Sequence, residues 1–203
     1  MSMAFLITAL LVVASPGTGA LFTVSSSLSH GVRSGLLAAL GCTLGIVPHM
    51  LAAVLGLATV FRTSTLAFEA LKIVGAAYLL YMAWQALRDA RMLEVKDEAA
   101  KQGAGKIIAS AVLVNLLNPK LPVFFLAFLP QFVPAHDPSP IATMLMLSGV
   151  FMAMTWVVFS IYGCFAALMR THVLRQPAVL TWMRRSFAAC FALLGLRLLV
   201  SQR

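Results

Sequence analysis

The chain has 203 residues, 61% of them hydrophobic and 10% charged, with a net charge of +9 and a mean hydropathy of +0.95. A soluble domain would be about 45–50% apolar and about 25% charged, so the composition excludes a soluble globular protein and points to a polytopic membrane protein. The basic residues fall between apolar runs, which is how a membrane protein sets its orientation, and no soluble domain is left to bind nucleic acid.

Six apolar runs, over residues 3–25, 35–61, 66–87, 107–133, 141–169 and 179–200, are each long enough to cross about 30 Å of hydrocarbon. They predict six transmembrane helices, because backbone facing lipid must satisfy its hydrogen bonds within the segment. The short alternating segments of a β-barrel are not what these continuous runs look like. The first run starts without a basic residue and outlasts a signal-peptide core, so it reads as a span. The expected fold is therefore an all-α bundle, a single domain over 1–203.

Residues 88–106 form the longest polar segment, with Arg88, Asp89, Arg91, Glu94, Lys96, Asp97, Glu98, Lys101 and Lys106. They read as a solvated linker between halves of three spans each, about 1–90 and 105–203. Loops one, three and five carry ten Lys and Arg, against Arg62 and Arg203 on the other side. That asymmetry predicts cytoplasmic loops one, three and five and both termini outside. Two related halves of three spans would face opposite ways, the inverted repeat of many secondary transporters. Lys72-x-x-Gly75-Ala76-Ala77-Tyr78 in span three and Arg185-x-x-Ala188-Ala189-Cys190-Phe191 in span six repeat one pattern in register.

The chemistry is expected where spans one and four are interrupted. Span one carries Ser15-Pro16-Gly17-Thr18 near its middle, and span four carries Asn118-Pro119-Lys120. Proline removes an amide donor and glycine opens conformations closed to other residues. A helix broken this way presents free carbonyls on one side and free amides on the other. The amide end suits a carboxylate, the carbonyl end an ammonium group. Two such breaks at the membrane midplane would suit an amino acid. Lys120 is costly in a bilayer without a partner; it reads as an anchor for a substrate carboxylate or a proton-coupled switch, or as a snorkelling side chain. Pro16, Gly17, Asn118, Pro119 and Lys120 are the expected substrate-binding residues.

Glu69 lies three residues before Lys72, as in a local ion pair, and is also the carboxylate best placed for proton coupling. His49, after Pro48 in span two, reads either as a satisfied core histidine or as a pathway residue that carries protons. Gly41-x-x-x-Gly45 allows helices to approach closely, within one chain or between subunits of a homo-oligomer. Cys42, Cys164 and Cys190 are scattered and read as packing residues. Asp137 reads as a solvated loop residue. The tryptophans and tyrosines, Tyr162 included, read as interfacial or packing residues. The sequence holds no paired carboxylates, activated nucleophile, phosphate loop or metal cluster, so neither an enzyme nor a cofactor is expected, and transport would draw on a gradient.

Five stretches together carry a resemblance: "SPG" in span one, "SLSHGVRSGLLAALGCTLG" before and in span two, "LKIVGAAYLLYMAWQALR" in span three, "NLLNPKLPVFFLAFLPQFV" in span four and "RRSFAACFALLGLRLL" near the end. Over nearly its whole length the chain resembles the LysE/RhtB amino-acid exporters of bacteria. The resemblance implies a multi-pass protein of the bacterial inner membrane. It also implies export of amino acids or their derivatives, such as lysine, arginine, threonine, homoserine or leucine, driven by the proton-motive force. An exporter or channel for another small solute is the alternative. Two departures stand out. The family often has Pro-Gly-Pro where this chain has Pro16-Gly17-Thr18, and often an acidic residue where it has Ile46-Val47-Pro48-His49.

Overall fold

The computed structural model describes residues 2–15, 17–63, 73–74, 76–77, 80–81, 83–84, 103–118, 120–134, 136–169, 182, 185, 188–189, 192–193 and 196, with backbone only for 57–63. Most of the third and sixth expected spans and most of the 88–106 linker lie outside these residues, as do Pro16, Glu69, Lys72 and Pro119. Every position described in the third and sixth spans is helical, and the described residues contain no strand.

The chain begins with α1 (Met3–Ala14), capped by Ser2, whose side chain accepts from the Phe5 amide at 3.2 Å. The helix stops at Ser15, which is extended at φ −67°, ψ 117°. This is the conformation forced on a residue that precedes proline. The chain resumes as α2 (Thr18–His30), and the two helices meet at 52°. Gly31 alone separates α2 from α3 (Val32–Leu44); its φ is +84°, the one positive φ among the described residues. A turn at Gly45 and Ile46 leads into α4 (Val47–Thr63). Span two was expected over 35–61; it starts three residues earlier and carries this turn, which the apolar pattern does not reveal.

The second half repeats the interruption. The helix α5 (Ala104–Leu116) gives way at Leu117 and Asn118 to α6 (Lys120–Val123), and the bend is 54°. Lys106, assigned by sequence to the linker, sits in the first turn of α5. Beyond α6 the coil widens to a π turn at Phe124–Phe128 and tightens to a 3-10 turn at Leu129–Phe132. Next comes α7 (Pro140–Leu168), 29 residues long. Asp137 prepares its start: one carboxylate oxygen accepts from the Ser139 amide at 2.8 Å, the other from the Thr143 hydroxyl at 2.7 Å.

Among the described residues two stretches, Val32–Gly56 and Pro140–Leu168, are long and apolar enough to cross a membrane. The two bent pairs make four such spans if each pair crosses once. The outward side chains fit lipid as solvent: Leu55, Trp156, Ile161, Phe165 and Leu168 are all exposed. Inside, α3 packs against α2, α5 and α7. Its glycines permit this. A Cβ on Gly41 would stand 2.6 Å from both Ala111 Cβ and the Ile108 carbonyl oxygen, and one on Gly45 would stand 2.9 Å from the Val112 carbonyl oxygen. The Gly41-x-x-x-Gly45 spacing thus seats α5 of the same chain. Phenylalanine rings pack together within the apolar core. Phe124 stacks on Phe151 at 4.2 Å, Phe125 meets Phe151 edge-on at 5.5 Å, and Phe132 meets Phe5 at 5.4 Å. These pairs fix the segment after the second break against α7 and α1. Thr8, Thr43, Ser148 and Thr155 return their hydroxyls to the carbonyl four residues back, so their burial strands no donor.

Candidate functional site: two helix breaks joined by Lys120

The two breaks meet. Residue 16 is proline and has no N–H, so the Val12 carbonyl loses the partner that an unbroken α1 would supply. Two groups replace it. The Ser15 hydroxyl donates to it at 2.8 Å, and the Lys120 ammonium donates to it at 2.8 Å. Lys120 Nζ also donates to the Ser15 carbonyl at 2.7 Å. The Ala14 carbonyl accepts from the Tyr162 hydroxyl of α7 at 2.7 Å. The carbonyl end of α1 is therefore satisfied by side chains from both halves of the chain.

Lys120 is only 4% exposed. An uncompensated lysine at a membrane centre costs about 2.5–3.5 kcal/mol on insertion scales. Hydrogen bonds to a charged group contribute about 1.5–3 kcal/mol each, and the negative end of a helix adds up to about 2 kcal/mol for a partly buried cation. Two carbonyls at a helix C-terminus are enough to hold the charge. Snorkelling does not describe this side chain, which is turned into the protein.

Asn118 serves the second break. Its Oδ1 accepts from the Lys120 amide at 3.1 Å, so it caps α6, and asparagine followed by proline is a favoured helix start. Its Nδ2 donates to Asn115 Oδ1 at 3.0 Å, and Asn115 Nδ2 donates to the Cys42 carbonyl of α3 at 2.6 Å. Asn115 and Asn118 are each 2% exposed. Hydrogen bonds thus link α3 through both asparagines to the Lys120 backbone, and the Lys120 side chain extends the link to the end of α1.

Gly17 is buried beside this chain: a Cβ there would lie 3.3 Å from Asn118 Nδ2 and 3.5 Å from Lys120 Cε. Gly17 is also the N-terminal cap of α2 and makes no side-chain cap bond. The Thr18 hydroxyl, where the second proline of the family pattern would stand, lies 3.5 Å from the Val114 carbonyl. Gly19 presses still closer, with Asn115 Oδ1 only 2.5 Å from where its Cβ would be.

The structure thus brings together Gly17, Asn118 and Lys120. His49 is half-buried in the first turn of α4. Its Nε2 is buried without a partner. Sequence reasoning missed Asn115 and Tyr162. Asn115 had a signal, since it stands three residues before Asn118 and so on the same helical face. Tyr162 had none, because its partner Ala14 lies 148 residues away. Among the described residues no group of three His, Cys, Asp or Glu could hold a metal ion.

The profile of the LysE type translocator family matches residues 10–202. A homoserine/homoserine lactone efflux protein of Salmonella typhimurium (strain LT2) is 34% identical over 200 residues, 98% of this chain and 96% of the relative. The protein of the same description from Salmonella typhi is equally similar, at 34% over 200 residues. An uncharacterized membrane protein of Vibrio cholerae serotype O1 is 32% identical over 197 residues, 97% of this chain and 95% of the relative. No solved structure matches. The chain belongs to the LysE type translocator family, and is a membrane transporter rather than an enzyme.

Proposed function

We propose that the chain exports amino acids or amino-acid derivatives carrying a free ammonium group across the bacterial inner membrane, with the proton-motive force as driver. The observation that carries this reading is the meeting of the two breaks, where Lys120 of one half holds the Val12 and Ser15 carbonyls of the other. In the proposed mechanism Pro16, Gly17, Asn118, Pro119 and Lys120 form the substrate site, and access alternates between the two sides as the half-helices move about their breaks. The halves 1–90 and 105–203 act as inverted repeats. His49 and Glu69 are the proposed proton carriers.

The relatives' names narrow the substrate. Homoserine and homoserine lactone share an ammonium group, but the lactone has no carboxylate. A site that accepts both must recognise the cation, and a helix carbonyl end suits a cation. We therefore favour homoserine-type amines for this chain.

Expression in a bacterium stripped of amino-acid exporters tests the reading. Resistance to homoserine or its lactone, with a lowered internal pool, is the expected result. Collapsing the proton gradient should stop uphill export; export that continues uphill without the gradient would remove the proton-motive force from the mechanism. Downhill leak that ignores the gradient would instead identify a channel.

A further inference from the structure

The Lys120 ammonium sits where the substrate's ammonium is expected to sit. The Val12 and Ser15 carbonyls are 2.8 and 2.7 Å from Nζ, and the Val12 carbonyl is an acceptor only because residue 16 is proline. The acceptors face a primary ammonium, buried to 4% exposure, at the negative end of α1. Gly17 lets the start of α2 come close to the lysine stem and the second break, since a Cβ there would lie 3.3 Å from Asn118 Nδ2 and 3.5 Å from Lys120 Cε. A seat built for one primary ammonium is chemically a seat for another.

We propose that the Val12 and Ser15 carbonyls receive the ammonium group of the transported amine, and that Lys120 is a resident competitor for that seat. This rests on the exporter reading above. With no substrate bound, Lys120 fills the seat and ties the second break to the first. Substrate enters by exchange, one ammonium for another, and the departing lysine unties the two breaks. Its return expels the substrate's cation and resets the site. The same residue thus weakens binding and enables release, the opposite of a carboxylate anchor.

Purified protein in lipid nanodiscs tests this with L-homoserine, L-homoserine lactone and N-acetyl-homoserine lactone, which keeps the ring without the cation. A competitor lowers apparent affinity by the fraction of time it leaves the seat open. Lys120→Met should therefore bind homoserine and its lactone about tenfold more tightly than the wild type, while export falls to background. N-acetyl-homoserine lactone should bind neither protein. If Lys120→Met binds homoserine more weakly than the wild type, or equally well, the seat is overturned and Lys120 is an anchor or a strut. A wild type that binds none of these amines overturns the substrate class as well, which separates the two failures. A second measurement needs no variant: n-propylammonium should inhibit export by the wild type, and propionate at equal concentration should not. Inhibition by propionate alone would also overturn the proposal.

Discussion

At the scale of single residues, the site is a set of buried polar groups that satisfy one another. Lys120→Ala removes the ammonium that bonds the Val12 and Ser15 carbonyls and leaves the breaks untied, so export should be abolished while the protein still inserts. Export measured in cells, with the membrane fraction blotted for the variant, checks this; export that survives in an inserted variant would end the proposed role. Asn115 is the strut behind Asn118. Asn115→Leu strands the Cys42 carbonyl and the Asn118 amide, and a stranded buried group costs about 1–3 kcal/mol. Gly19→Ala reaches the same carboxamide from outside, since its Cβ would stand 2.5 Å from Asn115 Oδ1. Asn115 is held at both ends and has little room to give. Both variants should lose export and thermal stability together; Gly19→Ala with wild-type export would show that Asn115 can yield.

At the scale of elements, helix ends decide the geometry. Gly31 closes α2 and opens α3 at φ +84°, ψ −178°, a region that is essentially glycine's own. No atom would meet a Cβ there, so Gly31→Ala isolates the backbone effect and should destabilise by about 1–3 kcal/mol. Gly56, helical and equally uncrowded, makes the control: Gly56→Ala should stabilise by about 0.5–1 kcal/mol. Thermal unfolding in detergent reads both. Asp137 anchors the start of α7. Hydrogen bonds from the Thr143 hydroxyl and the Ser139 amide hold its carboxyl below the usual aspartate range. A lowered folded-state value means the cap is fully present above the ordinary value of about 3.9 and is lost as pH falls through the lowered one. Amide exchange in the first turn of α7 should therefore speed up in Asp137→Ala at neutral pH, and the difference from wild type should vanish in strong acid.

At the scale of the whole molecule, lipid is the solvent that makes the fold sensible. Exposed Leu55, Trp156, Ile161 and Leu168 would be aggregation sites in water and are ordinary in hydrocarbon. We propose that the basic residues set the orientation, with the ten Lys and Arg of loops one, three and five in the cytoplasm and Arg62 and Arg203 on the other side. A single cysteine placed in the 88–106 linker of a cysteine-free variant should react with an impermeant maleimide only from the cytoplasmic side. Labelling from outside in intact cells would reverse the orientation.

Much of this was legible in the chain. Apolar length over about 30 Å of bilayer forces helices, so the class of fold followed from composition. Pro16-Gly17 and Asn118-Pro119-Lys120 marked both breaks, because a missing amide inside a helical run interrupts it. The widened coil at Phe124–Phe128, the turn at Gly45 and the tie from Lys120 to the Val12 and Ser15 carbonyls were not legible. Each depends on which surfaces pack together over long separations. Local pattern fixes where a backbone group is left without a partner; only tertiary packing decides which distant side chain arrives to fill the vacancy.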